Sequence, residues 1–167
     1  FTPSGNRLWG TYYGGTGANT PNSLSCDKYG HIYLSGETND NNNIATPGCH
    51  QPTRGGSWDN FLVQFDTAGV RQWGTYYGGA SLEAGGINAT DGLFVYLSGE
   101  TQSTTGIASP FSHQSAFGGG SSDDYVAKFD IGGSRLWGTY YGGEGTENTG
   151  GLTCDKQGYI YLFSSTS

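Results

Sequence analysis

Residues Arg7–Gly15 read RLWGTYYGG, residues Arg71–Gly79 read RQWGTYYGG, and Arg135–Gly143 return the first string unaltered. This one phrase holds three of the four tryptophans and six of the twelve tyrosines. A site that acts once needs one copy of its residues, so three copies speak first of architecture. Trp9, Trp73 and Trp137 follow one another at intervals of 64 residues, a period that marks a repeat array. The match extends outward from the phrase. Phe65-Asp66-Thr67-Ala68-Gly69 aligns with Phe129-Asp130-Ile131-Gly132-Gly133 and with Phe1-Thr2-Pro3-Ser4-Gly5. Ile32–Thr38 (IYLSGET) answers Val95–Thr101 (VYLSGET), and Ile160-Tyr161-Leu162 opens a third copy that departs at Phe163-Ser164-Ser165.

Composition agrees with an array of short strands. The 167 residues include 31 glycines and no methionine, with 14% aromatic and only 13% charged residues. Tyr, Thr, Ser, Gly and Asn favour strands and tight turns over helices. The net charge of −7 argues against nucleic-acid or anionic-membrane partners, which require clustered positive charge. No apolar run approaches the ~20 residues of a membrane-spanning helix. The chain begins with Phe and shows no signal peptide, as a piece of a processed or longer polypeptide would.

Each unit reads as four strands. Asn60–Asp66 (NFLVQFD) alternates with period two, placing Phe61, Val63 and Phe65 on one face. Val70–Tyr77, a short run near Ile87–Asp91, and Leu93–Glu100 follow. In the phrase itself, Trp73, Thr75 and Tyr77 point one way and Gly74 and Tyr76 the other. Bulky groups on both faces suit a sheet packed between two neighbours, as in a β-propeller. The Gly- and Ser-rich stretch from Thr101 to about Ser122 is expected to cross from the outermost strand of one blade to the innermost of the next, a span of roughly 14 Å. The expected fold is therefore all-β, about three four-stranded blades of a larger propeller. Units are drawn at residues 1–58 (first strand missing), 59–122 and 123–167. A propeller closes with 4–8 blades, so the remainder is expected from a longer chain or from further copies. A β-trefoil also has three four-stranded units, but three of 64 residues would overrun the chain.

The unit D-x-F-L-V-x-F-D-x-x-G-x-R-x-W-G-T-Y-Y-G-G, followed by C-D-x-x-G-x-I-Y-L-S-G-E-T and I-A-T-P-G-x-H-Q, closely resembles the SBBP family of β-propeller repeats. The resemblance spans essentially the whole chain. It implies a propeller within a large secreted or cell-surface protein of Bacteroidetes, many of them gliding species, as a type IX secretion cargo or adhesin. It carries over no catalytic set. The expected function is a non-enzymatic scaffold binding protein or surface glycan outside the cell. The alternative is a propeller enzyme acting on polysaccharide or through a quinone, its site lying in other blades. Asp66, Gly69 and Trp73 faintly resemble the docking repeats of quinoprotein dehydrogenases, with the Asp–Gly spacing one residue short.

Candidate sites lie where the copies differ. Cys26 and Cys154 are equivalent, while Cys26 and Cys49 are both replaced in unit two, by Thr90 and Ser112. Their joint absence suggests a Cys26–Cys49 disulfide worth roughly 3 kcal/mol and an oxidising compartment, with a partner for Cys154 beyond the chain. Free buried thiols are the alternative. Asn39-Asp40-Asn41-Asn42-Asn43 could offer oxygens to Ca²⁺, although no cofactor is required by any motif. Trp58 beside Arg54, together with Asp40, is the candidate ligand contact; burial of Trp58 against the neighbouring blade is the alternative. Asp66-Thr67-Ala68 resembles the O-glycosylation motif of Bacteroidetes exported proteins, with Thr67 as acceptor; Asn88-Ala89-Thr90 is a formal sequon within a strand. His50-Gln51 and His113-Gln114 are read as bonding connector to blade. Trp9, Trp73, Trp137, Tyr13, Tyr77 and Tyr141 are read as structural. No hydrolase, metalloprotease, P-loop or dinucleotide motif occurs.

Overall fold

A computed structural model describes residues Phe1–Ser167. It contains ten strands and no helix: β1 (Asn19–Cys26), β2 (Ile32–Thr38), β3 (Asp59–Phe65), β4 (Arg71–Tyr77), β5 (Glu83–Thr90), β6 (Phe94–Thr101), β7 (Asp123–Asp130), β8 (Arg135–Tyr141), β9 (Glu147–Cys154) and β10 (Ile160–Thr166). They form three antiparallel sheets, ordered β1-β2-β3-β4, β5-β6-β7-β8 and β9-β10. Within the first sheet Leu34 lies opposite Val63 and Val63 opposite Gly74; Leu97, Ala127 and Gly138 repeat that row in the second. β5 lies against β1, and β9 against β5, so the first strand of each sheet is the innermost. The fold is that of successive propeller blades.

The alternation of β3 is obeyed. Phe61, Val63 and Phe65 join Ile44 and Tyr76 on one side of the first sheet. Leu62 points the other way, into a cluster with Tyr33, Trp73 and Tyr77 and, from the second sheet, Val95, Leu97, Tyr125 and Phe129. Full burial of each such side chain stabilises by about 2–3 kcal/mol. Every residue of β3 is buried, because the strand is central in its sheet and covered on both faces.

The sheets do not divide where the units were drawn. NFLVQF is the third strand of a sheet that begins at Asn19, and the long connector, residues 39–58 and again 102–122, lies inside a blade between its second and third strands. It runs out along the free edge of the outermost strand. Thr46 N–H donates to Gly74 O (2.9 Å), and Tyr76 N–H donates to Gln51 O (3.1 Å). Ser109 to Gly138 and Tyr140 to Gln114 repeat this in the second blade. An edge strand left bare would invite foreign pairing; here the connector covers it. The crossing between blades is made instead by residues 78–82. A run of about five extended residues reaches roughly 17 Å, enough for three strand spacings. Arg7–Tyr13, the first copy of the phrase, belongs to no strand and pairs with none.

Candidate functional site

The repeated phrase works as a clasp between blades. The Trp9 indole donates from Nε1 to Thr67 O (3.0 Å), and the Trp73 indole donates to Ile131 O (3.0 Å), each at the hairpin turn of the following blade. The turn glycine lies flat beneath the ring. A Cβ on Gly133, whose φ is +88°, would come within 2.6 Å of Trp73. Four residues on, the Tyr13 hydroxyl donates to Ile44 O (2.9 Å) and the Tyr77 hydroxyl to Ile107 O (2.7 Å). Each reaches over the glycine of the next copy of the phrase, Gly74 or Gly138. Tyr13 sits against Phe61 and Phe65, and Tyr77 against Tyr125 and Phe129. Burial holds the Tyr13 and Tyr77 hydroxyls far above their usual range, so both remain donors.

The Gln of each His-Gln pair ties connector to blade. Gln51 donates from Nε2 to Asp59 Oδ2 (2.7 Å) and accepts at Oε1 from Gly78 N–H (3.0 Å); Gln114 repeats this with Asp123 and Gly142. His50 packs between Tyr77 and Phe129, and burial, with the charge of Arg135, lowers its pKa to about 4.

Beneath each clasp lies a pair of buried carboxyls that the sequence reading missed. Asp59 and Glu83 both face the Cα of Gly78; Asp123 and Glu147 both face Gly142. Glu83 is fully buried and accepts from Thr101 Oγ1 (2.7 Å) and Gly79 N–H (3.1 Å). Burial pushes its pKa up to about 7, against hydrogen bonds from Ser103 and Thr101. Burial also raises Asp59, Asp123 and Asp124. The recurrence of Asp59 with Asp123 and of Glu83 with Glu147, one period apart, was the available signal.

The candidate residues of the first connector are engaged internally. Asp40 is buried, and its carboxylate accepts from Gly17 N–H and from Asn42 N–H (2.9 Å). Asn39 Oδ1 accepts from Ala18 N–H (2.8 Å). The Asn-rich run thus anchors the strand entering β1, as Ser103 Oγ, accepting from Ser81 N–H, anchors the next crossing. No three His, Cys, Asp or Glu side chains gather to hold a metal ion. Arg54, expected to contact ligand, folds back onto the carbonyls of Gly56 and Ser57 and onto Asn41 Oδ1 (3.3 Å). Trp58 is half-buried, bridges Leu82 by its backbone, and accepts at its carbonyl from Glu83 N–H (2.9 Å). Asp40 and Trp58 thus hold the crossings between blades, and Arg54 braces the connector.

The expected Cys26–Cys49 disulfide is not formed: all three cysteines are free. Cys26 ends the innermost strand, while Cys49 lies in the connector along the outermost. Three strand spacings, roughly 14 Å, exceed the Cα separation a disulfide spans, about 4.4–6.8 Å. Cys26 instead shares a recess of about 200 Å³ with Thr90 and Cys154 at the inner strand ends. The Asp beside each Cys closes its turn. Burial acts against Asp27, but hydrogen bonds from His31, Tyr29 and Tyr33 hold its carboxyl below the usual range. Thr67 is exposed in its turn. Asn88 is buried, its side chain bonded to Ser23 O, Tyr33 O and Ser35 Oγ, which closes the sequon to modification.

Phe111 also escaped the sequence reading. Its φ is +60° and its side chain is fully exposed (105%), where the aligned residue of the first connector is Gly48, with φ +80°. Pro110, Phe111, His113 and Trp137 line a cleft of about 330 Å³. The signal was the Gly-to-Phe change itself.

Four-stranded antiparallel blades, clasped in series by a Trp-and-Tyr phrase, define a β-propeller repeat protein. A family model described as SBBP, beta-propeller repeat, matches residues 8–43, which span the first phrase, β1 and β2 and support that repeat family. No curated protein matches the chain.

Proposed function

We propose that this chain is a non-enzymatic β-propeller scaffold of an exported bacterial cell-surface protein, whose connector tips contact protein or surface glycan in adhesion. Phe111 carries the proposal. A left-handed backbone costs a side chain roughly 1–2 kcal/mol that glycine avoids, and a fully exposed aromatic recovers none of it by burial. Strain kept at an exposed position fits a contact residue. Phe111 and Pro110 form an exposed apolar tip suited to the apolar face of a sugar or to a partner side chain, and at the aligned Gly48 a Cβ meets nothing within 4 Å although the next blade is in place. The tip is held on both sides, by Ser109 N–H to Gly138 O (2.8 Å) and Gln114 N–H to Thr139 Oγ1 (2.8 Å), so little order remains to be imposed on binding. The resemblance to secreted and surface repeats supports a location outside the cell.

The test is binding of the protein to arrays of purified polysaccharides and extracellular proteins, with Phe111→Gly beside it. The variant should be more stable by about 1 kcal/mol and lose about tenfold in affinity, equivalent to 1.4 kcal/mol. Equal binding by both proteins would refute the role of Phe111. Recovery of the native protein only in the cytosol of fractionated source cells would refute the location.

A further inference from the structure

The two contacts between consecutive sheets are built from different chemistry. Where β5 meets β1, Asn88 is buried and both polar atoms of its side chain are bonded. Nδ2 donates to Ser35 Oγ (2.8 Å), Ser23 O (3.2 Å) and Tyr33 O (3.3 Å), and Oδ1 accepts from Ser25 Oγ. Ser23 Oγ donates in turn to Asn88 O (3.3 Å). One period on, where β9 meets β5, Leu152 stands in the place of Asn88, and Ile87 and Ala89 in the places of Ser23 and Ser25. The three positions change together from polar to apolar. The serine common to both sheets follows them. Ser35 Oγ donates across the contact to Gly86 O (2.9 Å), whereas its counterpart Ser98 donates to Tyr125 O of its own sheet (2.5 Å).

Blade geometry does not demand the amide, because leucine serves at the same position in the same chain. A buried amide costs free energy unless its bonds are met, and only a face with hydroxyls at the positions of Ser23 and Ser25 meets them. We propose that Asn88, with Ser23, Ser25 and Ser35, is a pairing code. It lets the first sheet accept the second sheet and refuse the leucine-bearing third, whether of the same chain or of a neighbouring copy. Leu152 on that face would leave the Ser25 hydroxyl without its acceptor. Asn88 on Ile87 and Ala89 would find no hydroxyl at all.

Near-identical repeats present near-identical faces while they fold, and exchange between them is a characteristic error of repeat proteins. The crossing of residues 78–82 keeps the first two sheets of one chain together, but it sets no bar against a sheet from another copy. The amide supplies that bar. A buried polar group of this kind returns uniqueness of pairing more than stability.

The test refolds the full chain from urea. Asn88→Leu alone should lower the folding equilibrium constant about tenfold. Adding Ser23→Ile and Ser25→Ala makes the first contact match the second and should restore it. That restored chain, refolded at high concentration, should give more exchanged dimer than the parent, seen by size-exclusion chromatography and as a second set of tryptophan indole N–H signals. The converse set, Ile87→Ser, Ala89→Ser and Leu152→Asn, makes the second contact match the first and should exchange likewise, while Leu152→Asn alone should lose about tenfold. A merely structural role predicts restored stability with no added exchange, and that result overturns the proposal. So does Asn88→Leu as stable as the parent, or a failure of both converted chains to regain what their single variants lost.

Discussion

The Trp73 indole lies flat on Gly133 of the following blade and donates its N–H to Ile131 O at 3.0 Å. Gly133→Ala would place a methyl group within 2.6 Å of that ring on backbone of φ +88°. It should destabilise by about 2–4 kcal/mol, strain and lost packing together. Gly5→Ala, on the same turn with φ +85° but nothing within 4 Å, should cost only the backbone share, about 1 kcal/mol. Urea midpoints of the two variants would show the difference; equal losses would mean that the clasp does not couple the blades.

Glu83 makes stability depend on pH. Its folded pKa of about 7 lies above the ordinary value, so the folded state binds the extra proton in that window. Its contribution is complete below about pH 4.5 and is lost as pH rises through about 7. The loss is of order 3 kcal/mol by linkage. His50, lowered to about 4, acts oppositely, removing stability as pH falls from about 6.5. Glu83→Gln should therefore flatten the fall in urea midpoint between pH 5 and 8 and leave the acid limb in place. An unchanged slope would exclude Glu83 as its source.

Asp124 stands where the first blade has Asn60. It accepts from Thr149 Oγ1, leaves Oδ2 buried without a partner, and is raised by burial and by the charges of Glu147 and Asp123. Asp124→Asn removes a charge that costs energy to bury. It should stabilise by about 1 kcal/mol at pH 7, with the advantage shrinking as pH falls and the native carboxyl protonates. Thermal unfolding at pH 7 and pH 4 tests both statements.

The three thiols should all react with a disulfide reagent in denaturant, and reduction should leave the intact mass unchanged. In the folded protein exposed Cys26 should react before Cys154, whose pKa is raised by burial and by Asp91 and Asp155. A mass lower by about two hydrogens before reduction would show a bridge.

Asp40→Ala should loosen the strand entering β1 and cost about 1–2 kcal/mol through the unsatisfied Gly17 and Asn42 N–H groups. Added calcium should not shift the unfolding temperature of the parent protein. A saturable calcium-dependent rise, abolished by Asp40→Ala, would restore the Asn-rich run as an ion site.

From sequence by itself came the period, the all-β class, the alternation that puts Phe61, Val63 and Phe65 on one face, and the structural part of the Trp-Tyr phrase. These are properties of neighbours along the chain, and side-chain direction in a strand follows from covalent geometry. The division into blades did not follow. A 64-residue period can be cut at any point and repeats equally well, so periodicity is blind to which strand is innermost; only β5 packing on β1 and β9 on β5 decides it. The same phase error put the connector between blades when it lies within one. The Cys26–Cys49 pairing rested on joint absence from the second unit, which carries no information about distance, and a whole sheet separates the two. Asp40 and Trp58 hold the backbone of a crossing, a relation that exists only once Gly17 and Glu83 have been brought beside them. Tertiary contact, not residue type, decides whether a polar side chain faces a ligand or its own backbone.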